Sequence, residues 1–324
     1  LGRRPPDITA GAIGEPARPA AAGVGLFFTR GIDSWASLLD HRNRLSHLLF
    51  LDGIEPRLPP EASDRVRADT EAAATALGLP LISLRVDARE RLDPLLSWEL
   101  THGAIMATAA LSLSPVLGEV LIASSHVTGH SGPWGTHADL DPRWSTPATR
   151  ICHDGGHRSR WDKTVLVAGF QPALDSLYVC FESGHDRNCG TCRKCLLTMS
   201  ALEGVGALER CDRFDAPLDF DRVVALGKRP AGRSHNGLDL LAHLPSDSDL
   251  ARAWASTVDP SDLVTLQPQH RTKTRWSRRR RSNSCRTTPR SGPRGRRKSG
   301  RFRAPRTPSR TCLWRRDRRR PRRW

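Results

Sequence analysis

The run Cys180-Phe-Glu-Ser-Gly-His-Asp-Arg-Asn-Cys189-Gly-Thr-Cys192-Arg-Lys-Cys195 spaces four thiols with eight, two and two residues between them. A Cys-Gly-Thr-Cys turn is a metal knuckle: Gly190 permits a tight turn whose amides can point at thiolate sulfur. Cys195 lies one helical turn beyond Cys192, so Cys180, Cys189, Cys192 and Cys195 can all face one ion. Four thiolates with no position left for water describe a structural Zn²⁺ site. An iron–sulfur cluster is also open to this ligand set; a thioredoxin-like pair at Cys192 and Cys195 is less so, because neighbouring thiols compete for it. Cys152 and Cys211 read as packing residues.

A second group is Phe28-Thr-Arg-Gly-Ile-Asp-Ser34, at a turn from strand to helix. A helix start exposes backbone N–H groups and the positive end of a dipole. Gly31 lets the backbone close on an oxyanion, and Thr29 and Ser34 add hydroxyl donors, which makes a phosphate cradle. It is not a Walker A loop, since no Gly-Lys-Ser/Thr ending follows. An ordinary turn capped by Asp33 or Ser34 would use the same residues.

These residues need elements to hold them. Apolar runs at Val24–Phe28, His47–Leu51, Leu81–Val86 and Glu119–Ala123 read as four buried strands. Helical patterns open at Trp35–Leu39 and cover Glu61–Leu77, His102–Leu113 and Arg160–Val167, with one more through Met199 and Leu202. Strands alternating with helices predict an α/β fold with a parallel sheet sandwiched between helices. The cysteine segment is appended to it. The domain organisation expected is a loose leader over 1–22, an α/β domain over 23–175, a knuckle with a helical region over 176–268, and a disordered tail over 269–324. Between Ser124 and Asp141 runs a loop rich in Gly, His, Trp and Pro, too long to be mere connection. His126, His130, His137, His153 and His157 cluster around it without metal-ligand spacing on a helix.

The net charge of +17 is concentrated at one end of the chain. Residues 271–324 hold 24 Lys and Arg against the single acid Asp317, whereas residues 1–270 carry 27 bases and 33 acids. The body is mildly acidic, so nucleic acid is expected as a partner only through the tail. An Arg to Lys ratio of 22 to 2 among Pro, Ser and Thr also suits an out-of-frame reading of GC-rich coding DNA. That origin, or a disordered tail, is favoured over an evolved domain. No apolar stretch is long enough to span a bilayer and no signal-peptide core follows Leu1, so a cytoplasmic protein without a membrane partner is expected.

The turn at 28–34 resembles the PP-loop ATP pyrophosphatases, whose fingerprint after the first strand is Ser-Gly-Gly-x-Asp-Ser. Thr29 replaces the Ser and Arg30 the first Gly. Arg30 then implies either a strained or reshaped backbone, or a guanidinium serving as a further phosphate ligand. A PP-loop domain followed by this cysteine spacing resembles the 7-cyano-7-deazaguanine synthases of queuosine biosynthesis, over about residues 23–205. Phe50-Leu-Asp52-Gly53 stands where that family has Phe-Asp-Tyr-Gly, and Trp161-Asp162-Lys163 resembles its Asp-Lys-Ala segment. The sequence departs from the family at Ile54-Glu55-Pro56 and has no Gly-Arg-Asn element near 101–106, so a different acceptor pocket is expected. Pro133–His137 with Asp139, Asp141 and Trp144 is a candidate for it.

The resemblance implies an ATP-dependent C–N ligase. ATP and Mg²⁺ would bind through Thr29, Arg30, Gly31, Asp33, Ser34 and Asp52. A carboxylate or similar oxygen of a small deazapurine-like acceptor would be adenylated, and ammonia or an amine would displace AMP. In that scheme Asp33 orients Mg²⁺ or the loop, Thr29 and Ser34 bind pyrophosphate, and Lys163 stabilises developing charge, while the cysteines hold Zn²⁺ without taking part. Two other readings are a non-catalytic PP-loop nucleotide-binding or interaction protein, and a PP-loop enzyme that modifies tRNA. The oligomeric state is not legible from the chain.

Overall fold

The computed structural model describes residues 21–54, 58–127, 134–180, 182, 184, 186–229 and 234–263. Most of the expected leader, the end of the helical region and the whole tail 269–324 lie outside them. Strands β1 (Gly23–Phe27), β2 (His47–Asp52), β3 (Leu81–Arg85), β4 (Leu117–Ala123) and β5 (Arg150–Asp154) form one sheet in the order β3-β2-β1-β4-β5. Every pairing is parallel. Helices α1 (Ile32–His41), α2 (Pro60–Ala76), α3 (Ala88–Leu92) and α4 (Trp98–Ser112) connect the first four strands. After β5 come α5 (Arg160–Ala168), α6 (Gln171–Asp175), α7 (Arg193–Gly204), α8 (Phe220–Ala225), α9 (His235–Leu241), α10 (Asp249–Ala255) and α11 (Pro260–Leu263).

The continuous apolar runs are strands covered on both faces. Leu26, Phe28, Leu48, Leu121 and Cys152 point to one side, where Trp35 and Leu38 of α1, Ala74 of α2 and Val167 of α5 meet them. Phe27, Leu49, Leu51, Val120, Ile122 and Ile151 point to the other, against Ala107, Ala109 and Ala110 of α4. Alternate side chains of a strand face opposite ways, so each run supplies two cores. Cys180, Cys192 and Cys195 belong to the same core as Leu26 and Trp35, so the cysteine segment is packed onto the sheet's helical layer. A further core joins Leu196 and Leu197 of α7 to Val223, Leu240 and Trp254, with the Trp254 indole donating to Ser200 Oγ at 2.8 Å.

Two elements differ from the sequence expectation. β5 has no apolar run to announce it, yet it pairs in register from Glu119↔Arg150 to Ala123↔Asp154. It ends the strand order, and its polar residues find lateral partners: Arg150 pairs with Glu119, and His153 with Asp141. α4 starts at Trp98, four residues before the expected His102, because Ser97 caps it by accepting from the Glu99 amide at 3.2 Å.

The strand order reverses at β1. From β1 the chain proceeds to β2 and β3 on one side, then returns to place β4 and β5 on the other. The crevice beyond the carboxyl ends of β1 and β4 is where ligands bind in open sheets of this kind. Both Thr29–Ser34 and Ser124 lie there.

Candidate functional site

The turn after β1 is shaped at Arg30, whose φ of 61° is the only positive value of a non-glycine among the described residues. The left-handed backbone of a glycine is therefore kept without the glycine. The fully buried Arg30 side chain turns into the protein. It donates to Thr70 Oγ1 at 3.0 Å, Asp69 Oδ2 at 3.3 Å, Ser176 O at 3.1 Å and Val66 O at 3.3 Å, and lies over the Tyr178 ring. Of the two expectations for Arg30, the strained backbone is what the structure holds. The guanidinium is spent on α2 and on the chain before Tyr178, so it ties the turn to the fold. Burial lowers its pKa to about 10, with Asp69 opposing, and it stays a cation at neutral pH.

Gly31 then caps α1 with extended backbone, and Ser34 donates to the Gly31 carbonyl at 3.0 Å. The first amides of α1 have no intrahelical acceptor and face the crevice end of the sheet. Asp33, on this first turn, meets two cations from the first turn of α5. Arg160 Nη1 reaches its Oδ2 at 2.7 Å and Lys163 Nζ its Oδ1 at 3.3 Å. Lys163 is 2% exposed and also donates to the Ser124 carbonyl at the end of β4. Burial opposes charge on Asp33, yet Arg160, Lys163 and Lys194 together hold its carboxyl below the usual range. Two cations meet one carboxylate, leaving positive charge in excess at the switch point.

Beside this cluster opens a shallow cleft of about 130 Å³ lined by Thr29, Phe50–Ile54, Leu58, Ser63, Val66, Tyr178–Cys180 and Lys194. Asp52, at its floor, accepts from Ser63 Oγ at 2.7 Å and faces Arg85 at 3.4 Å. Gly53 makes the sharp exit from β2: its φ is 96°, and a Cβ there would stand 2.2 Å from the Val86 carbonyl oxygen. The cleft thus gathers Thr29, Asp52, the start of the cysteine segment and the exposed Lys194 of α7.

The four sulfurs of Cys180, Cys189, Cys192 and Cys195 all lie within 4.8 Å of one another. Neighbouring pairs stand at 3.5 Å (180–189), 3.9 Å (180–192) and 3.9 Å (189–195). Ligands about 2.3 Å from one tetrahedral zinc stand about 3.8 Å apart, so the spacing fits a single ion such as Zn²⁺. A polynuclear cluster places its ligands on separate irons and needs a wider set. Backbone amides reach the sulfurs: Cys192 N to Cys189 at 3.3 Å, Thr191 N to Cys189 at 3.4 Å, and Cys195 N to Cys192 at 3.5 Å. Gly190, at φ 72°, makes this turn possible, because a Cβ would lie 2.4 Å from Ala216 O. The fully buried Asn188 clamps both ends, accepting from Val179 N and Cys180 N and donating to Leu177 O and Arg213 O. The shared hydrogen bond with Cys180 pushes the Cys192 thiol up to about 12 while holding Cys180 down, so these thiols share protons where a divalent ion would displace them.

The candidate acceptor loop is placed differently from expectation. Asp141 accepts from the His137 amide at 3.1 Å and pairs with His153 Nδ1 at 2.7 Å, and its full burial makes it a structural brace of this loop. Trp134 stands edge-on between His102 and His126, as packing. Asp139 and Trp144 are exposed. His130 and Pro133 lie outside the described residues. His126 also meets His235 ring to ring at 4.4 Å, and burial with that neighbour lowers its pKa to about 4. Cys211 is buried and donates to Leu174 O at 3.4 Å, as a packing residue does.

The chain matches no protein-family model and no curated protein. The site is therefore argued from its own geometry. Asp33, Lys163 and Ser34 lie together at the switch point; Thr29 and Asp52 line the adjoining cleft; the four cysteines converge separately. Sequence reasoning gave no role to Arg160, Lys194 or Asn188. Arg160 carried a signal, standing three residues before Lys163 and so on the same face of a helix. Lys194 had none beyond its place between two of the clustered cysteines.

Proposed function

We propose that this protein is an ATP-dependent ligase of the PP-loop type, resembling the 7-cyano-7-deazaguanine synthases, with ATP in the cleft and its phosphates at the switch point. The observation that carries the reading is the cluster at Asp33: Arg160 and Lys163 paired to one carboxylate, at a helix start, beside a cleft lined by Thr29, Asp52 and Lys194. The base and ribose would lie against Phe50–Ile54 and Tyr178. The phosphates would meet Thr29, the first amides of α1 and Lys163. Each Asp33 oxygen keeps a second lone pair beyond its ion pair, which suits contact with the water shell of Mg²⁺. Bound Mg²⁺ would neutralise charge on the leaving pyrophosphate. The acceptor oxygen would attack the α phosphorus in line as the bond to pyrophosphate breaks, with Lys163 stabilising the charge that develops. An amine nitrogen would then attack the activated carbon, lose a proton, and expel AMP. The four cysteines would hold Zn²⁺ as a structural ion, since no ligand position stays open for water.

The left-handed backbone kept at Arg30 supports a working loop over a retired one. The test is turnover. The metal-loaded full chain with Mg²⁺·ATP, ammonia and a panel of deazapurine carboxylates should release AMP and pyrophosphate in equal amounts, and only when an acceptor is present. Release of ADP instead would overturn the reading.

A further inference from the structure

The switch-point cluster and the cysteine site are joined by one residue. Lys194 stands on the first turn of α7, two residues after Cys192 and one before Cys195. Cys195 is fully buried while Lys194 is exposed, so the turn presents thiol to the metal site and ammonium to the cleft. There Lys194 lines the same wall as Thr29, Asp52 and Cys180. Its charge also reaches Asp33.

We propose that Lys194 contacts the phosphates of the bound nucleotide and that the metal at the cysteine site sets its position. This rests on the reading of the cleft as an ATP site. The backbone beneath Lys194 is fixed at both sides: Cys192 caps α7 and receives the Cys195 amide, and residues 195–202 are buried without a break. Among the described residues, the knuckle preceding Cys192 has no helix or strand and is held at Asn188 and at the sulfurs. A divalent ion joining those sulfurs makes the knuckle and the first turn of α7 one rigid piece, and Lys194 is carried on it. Arg160 and Lys163 meet Asp33 at the switch point, whereas Lys194 lines the adjoining cleft, so a polyphosphate running from the cleft to the switch point would meet all three. A lysine suits that task, as a point charge that follows a phosphate whose oxygens move during transfer.

The test compares Lys194→Gln with the wild type, both as metal-loaded full chains, by calorimetric titration with Mg²⁺·ATP and separately with adenosine. ATP affinity is expected to fall roughly tenfold to a hundredfold, the scale of one charge-assisted hydrogen bond, with adenosine affinity unchanged. Equal ATP affinity in the two proteins overturns the proposal and leaves the ATP site standing. An equal loss for ATP and adenosine also overturns it, since the side chain would then act by shaping the cleft. A wild type that binds neither ligand overturns the ATP site and the proposal with it. The metal link is read by the affinity for Zn²⁺, measured in equilibrium competition with a chromogenic chelator. Saturating ATP should tighten it several-fold in the wild type and not in Lys194→Gln, because coupling of binding free energies is reciprocal. The same Zn²⁺ affinity with and without ATP in the wild type overturns the link.

Discussion

At position 30 the backbone adopts a conformation that costs an L residue about 1 kcal/mol, and the guanidinium offsets it with hydrogen bonds to two side chains and two carbonyls. Two substitutions separate these effects. Arg30→Ala should destabilise the protein by about 2 kcal/mol, losing the bonds while keeping the left-handed backbone. Arg30→Gly should be about 1 kcal/mol more stable than the Ala variant by urea denaturation, and equality of the two would contradict the φ at this residue. A second residue predicts a pH dependence. Burial and His235 hold His126 neutral, with its folded pKa lowered from 6.5 to about 4. As pH falls below 6.5 the unfolded chain takes up this proton first, so the contribution of His126 is whole above that pH and declines toward pH 4. Urea midpoints between pH 7.5 and pH 4.5 should drop less steeply in His126→Gln than in the wild type. The cysteine cluster was legible in the sequence because a site able to hold one ion requires fixed spacing along a short stretch. Arg160 and Lys194 were not, since they join the site only through packing distant in sequence, α5 on α1 and α7 on α5.

The elements divide in the same way. β1 to β4 announce themselves because burial on both faces demands a nearly continuous apolar run, and their registers follow. β5 stays hidden since an edge strand can satisfy Arg150 and His153 laterally, through Glu119 and Asp141. The helical region after the cysteines was legible as helix but not as individual α8 to α10, which are short and bury only part of one face each. At this scale the knuckle yields the sharpest prediction. Gly190→Ala would drive a Cβ against the Ala216 carbonyl at a positive φ, opening the turn that carries Cys189. Elemental analysis should give one zinc per wild-type chain and a clearly lower content in this variant, with a melting temperature lower by several degrees. Full retention of zinc in Gly190→Ala would mean that the turn is not what positions the sulfurs.

Seen whole, the described residues form a parallel α/β sheet with the cysteine site packed into its helical layer, and no helix among them is long and apolar enough to cross a membrane. The chain's net positive charge comes entirely from the final 54 residues, whereas the mildly acidic body still sets two of its cations, Arg160 and Lys163, against the single carboxylate of Asp33. That local reversal of sign is an electrostatic signature of a site for a polyanion. Neither the fold class nor the −6 balance of residues 1–270 would reveal it alone. Calorimetric titration of the metal-loaded full chain with Mg²⁺·ATP, beside Lys163→Met, tests this account most directly. Saturable binding at one site per chain is predicted, weakened at least tenfold in a variant that still folds and retains its zinc. A folded, zinc-containing wild type that shows no heat of ATP binding would contradict it, and the cleft would then belong to another ligand.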